Sequence, residues 1–225
     1  MSSALARAIS LSFFALLLPG SIVHAQRSGE PGVAIYRVVS QASDVRLLVY
    51  RDGVLSTFGH NHVVSLKDFT GTIHLQPKLA QSRVELDILL DRLIVDDPAV
   101  RRGEGQDFAG EPSKDDIAAT RTNMLSNALL NAKQFPSIKV TGTSGPVDAN
   151  NSAMLDLSVQ LVGQVVKLTI PATLKLEGDQ LEVSGEVELS HKQLGLKPFS
   201  ALLGSLRVAE QMKFKYRIQA RKEPK

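Results

Sequence analysis

Gly59-His60-Asn61-His62 is the densest group of chemically capable side chains in this sequence. In extended backbone alternate residues share a side, so His60 and His62 present two imidazoles together, the start of a divalent-metal site. Such a site wants a third ligand, for which His191 or His74 is the available imidazole. With one coordination position left open it would activate water, giving a metal-binding periplasmic protein with a hydrolytic or stress-related role. The competing reading is a polar turn at a cavity rim, its histidines bonded to backbone or water. His191 reaches that rim by another route. Counting by two through Leu181, Val183, Gly185, Val187 and Leu189 puts it on an apolar stripe, where it ends the core or holds a ligand's polar head.

Other chemistry finds no pattern. The chain has no cysteine, which removes disulfides, thiolate metal sites and a cysteine nucleophile. No nucleophile elbow, P-loop, dinucleotide fingerprint or HExxH motif occurs. Asp96-Asp97 falls in a loop and Asp115-Asp116 at a helix start, where solvation and the helix dipole account for them. The formal charge of +3 is small and spread along the chain, so nucleic acid is not an expected partner. These absences favour a binder over an enzyme, with no cofactor.

The elements that must position these residues are strands. Leu155, Leu157, Val159 and Leu161 alternate with polar residues, as do Val166, Leu168, Ile170, Ala172 and Leu174. Gly163-Gln164 between them reads as a type II′ turn, which makes Ser152 to Glu177 one long hairpin. Its apolar face must be covered by the rest of the chain, where Val45, Leu47 and Val49 and the series Val84 to Leu90 alternate likewise. Met212, Phe214, Tyr216 and Ile218 form the last apolar face, with Lys213, Lys215, Arg217 and Arg221 on a solvated outer side.

One helix is expected over Asp115 to Gln134, capped by Ser113, with Met124, Leu125, Ala128, Leu129 and Ala132 as its stripe. The aperiodic stretch Asp96 to Lys114 reads as a long loop, and with the helix as a lid over a cavity mouth. About eight strands and one helix without a βαβ rhythm make an all-β protein, an antiparallel barrel ahead of a β-sandwich.

Arg7, the apolar run Ala8 to Leu18 and Val23-His24-Ala25 form a secretory signal over residues 1–25. That leaves 26–225 as a single domain, periplasmic, with no integral membrane segment after signal removal. Nothing in the sequence fixes its oligomeric state, a homodimer included.

Several segments in order resemble the YceI-like family of exported bacterial proteins: Tyr36-Arg37-Val38, Ser43 to Gly53, Gly59-His60, Phe69 to Ile73, Met124 to Val140, the LVGQVVKLTIP hairpin and Leu194 to Phe199. The resemblance runs from about Tyr36 to Ala220. It implies a lipocalin-like barrel filled by a long-chain isoprenoid lipid or quinone. The polar His-Asn-His and the long Asp96 to Lys114 stretch depart from the commoner pattern. On the strand faces, Leu157, Val159, Leu168, Ile170, Val187 and Phe214 are the expected apolar lining. His60, His62 and His191 form the rim, and Gly185 and Ala172 are small positions able to make room.

Overall fold

The organising hairpin is present, with a different turn from the expected one. In the computed structural model, which describes residues 32–224, Leu161 pairs with Gln164, so the turn is Val162-Gly163. Both residues have positive φ, 48° and 74°, the signature of a type I′ turn, whose twist matches that of the flanking strands. Moving the turn by one residue shifts the cross-strand pairing by two, which leaves every side chain on its expected face. A β-branched residue at positive φ is unfavourable. Val162 holds that conformation while packing against the main core. Gly163 lies so close to Phe135 that a Cβ there would be 2.8 Å from the ring.

The described residues form twelve strands in chain order. They are β1 (Ala34–Val38), β2 (Asp44–Asp52), β3 (His62–Leu66), β4 (Phe69–Leu75), β5 (Arg83–Leu89) and β6 (Leu93–Val95). Then come β7 (Ser137–Ser144), β8 (Ser152–Leu161), β9 (Gln164–Glu177), β10 (Gln180–Ser190), β11 (Ser200–Ala201) and β12 (Leu206–Lys222). Hydrogen bonding runs β1-β4-β5-β7-β8-β9-β10-β12, and β12 returns to β1, closing an eight-stranded antiparallel barrel. The same edge of β12 carries β2 upstream of β1, and β3 and β6 continue outward from there. Closure removes the free edges of the eight barrel strands and leaves β6 as the outer edge of the extension.

Among the described residues two α-helices interrupt the strands where one was expected: α1 (Pro98–Arg102) and α2 (Lys114–Leu125). α2 is capped as the sequence predicts. The Ser113 hydroxyl accepts from the Asp116 N–H, and the Asp116 carboxylate accepts from the Ser113 N–H, a reciprocal capping box. It ends at Leu125, nine residues short of the expected end, because Ser126 turns to extended backbone. The Leu130, Asn131 and Ala132 N–H groups fold back onto the Met124, Ser126 and Leu125 carbonyls. That fold-back drives Leu130 into the main core. Burial of Leu130 overrides the helical period of the segment.

The stretch Asp96 to Lys114 is not the irregular loop that its glycines and prolines predict. Asp97 caps α1 by accepting from the Ala99 and Val100 N–H groups, with Pro98 at the first helical position. Val100 and Phe108 then pack with Leu48 and Val63 in a separate small core. Glu104 receives Arg46 and Lys215 at 2.6 and 2.7 Å. Lys215 is therefore covered, and not part of a fully solvated face. The doublets Leu47-Leu48 and Val63-Val64 required such a cover, since apolar residues on both faces of a strand need packing on both sides.

Candidate functional site

A cavity of about 920 Å³ runs inside the barrel, near the top of the range for small-molecule sites. Every strand facing it contributes apolar side chains, so its wall is almost entirely hydrocarbon. Leu157, Val159, Leu168, Ile170 and Phe214 line it. Val187, expected among them, packs in the main core without reaching the cavity. The apolar group Tyr36, Ile73, Leu75, Leu181 and Ala220 packs one end of the barrel. At the other end the cavity reaches the surface beside Phe58 and Phe199, both exposed. There α2 and the residues after it lie across the opening, with Asp116, Thr120 and Met124 among the lining.

Room is not made where the sequence predicts. A Cβ on Gly185 would lie 2.5 Å from the Pro171 carbonyl oxygen and 2.6 Å from the Tyr216 hydroxyl. The space left by the glycine is filled by the Tyr216 ring, whose hydroxyl donates to the Pro171 carbonyl. Pairing between β9 and β10 ends at Thr173 and Ser184, just before these residues. The side chain thus satisfies a carbonyl that the backbone ladder has left. Burial pushes the Tyr216 hydroxyl up to about 12, so it remains a donor. Ala172 is buried without lining the cavity.

Ser82, Arg83 and Ser144 are polar lining at the end near Ile73 and Leu75, and a second polar group stands at the mouth around His62. Its Nδ1 lies 2.6 Å from Asp96 Oδ2. Asp96 is 1% exposed, and its other oxygen accepts from the Val63 N–H at 2.9 Å and from Arg101 at 2.5 Å. Arg101 is also buried and donates further to the Asn61 and Gly110 carbonyls. Burial raises the Asp96 carboxyl, but the His62, Val63 and Arg101 donors outweigh it and hold the group below the usual carboxylate range. A carboxylate only accepts, so the His62 proton sits on Nδ1 and leaves Nε2 as the acceptor in the neutral ring. Nε2 faces the Thr120 hydroxyl of α2 at 3.4 Å. Asp116 stands near both His60 and His62 and is held low by hydrogen bonds from Ser113, with the two histidines adding to the effect.

Residues 36–220 match the model of the YceI-like domain. The chain belongs to the YceI-like family. Among solved structures, BcnA of Burkholderia cenocepacia is similar at a TM-score of 0.58 and 14% identity, over 81% of this chain and 98% of that one. A polyisoprenoid binding domain from Saccharophagus degradans, implicated in plant cell wall breakdown, gives 0.52 and 12%, over 84% and 98%. A YceI protein of Campylobacter jejuni gives 0.51 and 10%, over 72% and 85%. At such identities the likeness carries the fold. The search of curated proteins found no match.

Within this YceI-like barrel the histidines do not converge as a metal site would require. His60 and His62 are neighbours, their ring centroids 6.3 Å apart. His191 lines the same cavity but is buried, its Nδ1 3.2 Å from the Glu210 carbonyl. His74 lies on β4, paired with Ile35 and Arg83, and is outside the lining. Among the described residues no three His, Asp or Glu side chains are grouped to hold an ion. Asp96 and Arg101, which orient His62, escape a reading by motif because 34 residues separate His62 from Asp96. Asp97-Pro98 signals a helix start, but nothing in the sequence places that helix against β3.

Proposed function

We infer that this protein is an exported, periplasmic carrier that holds one long isoprenoid chain, of polyprenyl or isoprenoid-quinone type, inside its barrel. The observation that carries the reading is the hydrocarbon-lined cavity of about 920 Å³ reaching the surface at one end. Burial of each methylene contributes roughly 0.8 kcal/mol before ordering costs, so a long chain binds without polar contacts along its length. Membership of the YceI-like family and the likeness to a polyisoprenoid binding domain support this ligand class. Leu157, Val159, Leu168, Ile170 and Phe214 touch the chain in this reading, with the rim histidines at the mouth.

The polar head rests beside His62. Its Nε2 accepts from a hydroxyl head, and the Thr120 hydroxyl donates to or accepts from the same group. Such contacts bind and orient, and no bond is made or broken. Export rests on the run Ala8 to Leu18 and Val23-His24-Ala25, which lie outside the described residues.

The test is native mass spectrometry of protein recovered from the envelope of its own cells, with lipid extraction of the same sample. A bound mass in steps of one isoprene unit is the expected result. Protein that carries no lipid, and takes up no prenol or quinone from detergent micelles, overturns the reading.

A further inference from the structure

Two tight turns stand beside the cavity mouth. The first spans Gly53 to Phe58 and the second Leu202 to Gly204. They are tied together by the Leu55 N–H, which donates to the Ser205 carbonyl at 2.8 Å. Gly53 packs against the same segment, where a Cβ would meet the Ser205 carbonyl oxygen at 2.4 Å. Together they expose Val54 at 88%, Phe58 at 78%, Leu202 at 65% and Leu203 at 108%. Large apolar side chains so fully presented, four of them on two joined turns, are not scattered surface hydrophobics. Leu202 and Leu203 both have positive φ, 51° and 55°, a conformation that glycine or asparagine would hold with less strain.

The patch is continuous with the mouth. Phe58 belongs both to it and to the cavity wall, and Phe199, Ser200, Leu206 and Arg207 line the cavity at the foot of the second turn. Arg51, Lys197 and Arg207 stand in that same part of the lining. Arg207 pairs with Asp52 at 2.8 Å, and Arg51 donates to the Gly59 carbonyl. With Arg207 balanced by Asp52, the positive charge beside the apolar tip comes from Arg51 and Lys197, the complement of a lipid surface with anionic headgroups.

We propose that these two turns insert into a bilayer containing anionic phospholipid and seat the cavity mouth on it. A stable protein interface draws on about 20–30 residues a side, more than two tight turns supply, whereas interfacial insertion needs only a few apolar side chains. The proposal rests on the isoprenoid reading for its purpose. A ligand insoluble in water then moves between membrane and cavity without crossing solvent.

The test compares the chain with its Leu202→Ser/Leu203→Ser variant in the same form, so that the apolar run Ala8 to Leu18 contributes equally to both. Sedimentation with phosphatidylglycerol/phosphatidylcholine vesicles reads the patch. Loading with a prenol from detergent micelles reads the cavity. The variant should bind vesicles at least about tenfold more weakly, given what burial of two leucines is worth, and should load from micelles as the parent does. The chain has no tryptophan and three tyrosines, so Leu203→Trp supplies the one tryptophan, excited selectively at the red edge of its absorption. Its emission should shift to the blue on these vesicles and be quenched by brominated acyl chains.

Equal vesicle binding by parent and variant, or an unquenched fluorophore, overturns the docking proposal. So does a parent that is dimeric without vesicles while the variant is monomeric, which would give the patch to a second copy of the chain. Failure of both proteins to load from micelles, with the difference in vesicle binding intact, counts against the isoprenoid reading and leaves docking standing.

Discussion

Asp96 combines two requirements that few residue types meet. Its φ of 56° lies in the left-handed region, where Asp and Asn are the best-tolerated residues after glycine. Its buried carboxylate receives His62, the Val63 N–H and Arg101. Asp96→Asn keeps the shape and the backbone preference and removes the charge, so it isolates the ion pair. Arg101 is then left buried without its counter-charge, a change that costs about 3–5 kcal/mol. The pH dependence has a definite sign. The folded carboxyl is held below its ordinary value, so its contribution is fully present above about pH 4 and is lost as pH falls through the folded value. Urea midpoints measured from pH 7 downward should fall in the acid range for the natural chain, and less steeply for Asp96→Asn. Parallel acid limbs for the two proteins would show that Asp96 does not couple to folding. None of this was legible in the sequence, where Asp96-Asp97 reads as a solvated pair. The partners of a buried carboxylate are fixed by tertiary packing, and here they come from two separate elements, β3 and α1.

The contact among β9, β10 and β12 depends on a missing side chain. Gly185 lets the Tyr216 ring cross β10 and reach the Pro171 carbonyl at the point where pairing between β9 and β10 stops. Gly185→Ala should therefore displace the ring and break that hydrogen bond, an overpacking cost of about 1–3 kcal/mol. For a domain of this size each kcal/mol lowers Tm by about 2–4 °C. Tyr216→Phe removes only the hydroxyl and should cost about 1 kcal/mol. A calorimetric scan in which Gly185→Ala is the milder of the two would refute this account of the glycine. At this scale the sequence was informative about faces and less so about ends. The alternation in β8, β9, β10 and β12 placed the inward side chains, because a period of two survives a one-residue error in the turn. The end of α2 was misread because Ala128, Leu129 and Ala132 keep a helical period, while the burial of Leu130 demands a fold-back. Val187 was assigned to the cavity by the same alternation. Parity tells which side of a strand a residue faces, not how far the cavity extends along it.

For the whole molecule the segment between β6 and β7 divides into two parts of unequal stability. The first, Asp96 to Phe108, is anchored to the outside of the barrel by Asp96, Arg101 and Glu104 and by the packing of Val100 and Phe108 on Leu48 and Val63. The second, α2, has no fully buried residue. Its polar ties to the wall are Arg121 to the Asp91 carbonyl and Thr120 toward His62. Elements with few buried contacts open first, so the lid expected over the whole of Asp96 to Gln134 narrows to α2 and the turns after it. Those turns are pinned by Leu130, which leaves α2 itself as the part able to swing. Amide hydrogen exchange should rank α2 as fastest, Asp96 to Phe108 as slower and the Ser152 to Glu177 hairpin as slowest. Loading the cavity with a prenol should slow α2, through its lining residues Ala119, Thr120, Asn123 and Met124, and leave Asp96 to Phe108 unchanged. A helix that merely plugs the barrel would exchange at the same rate with and without ligand. Equal slowing of both parts would instead mean that the segment moves as one body, with Asp96 and Arg101 too weakly held to anchor it.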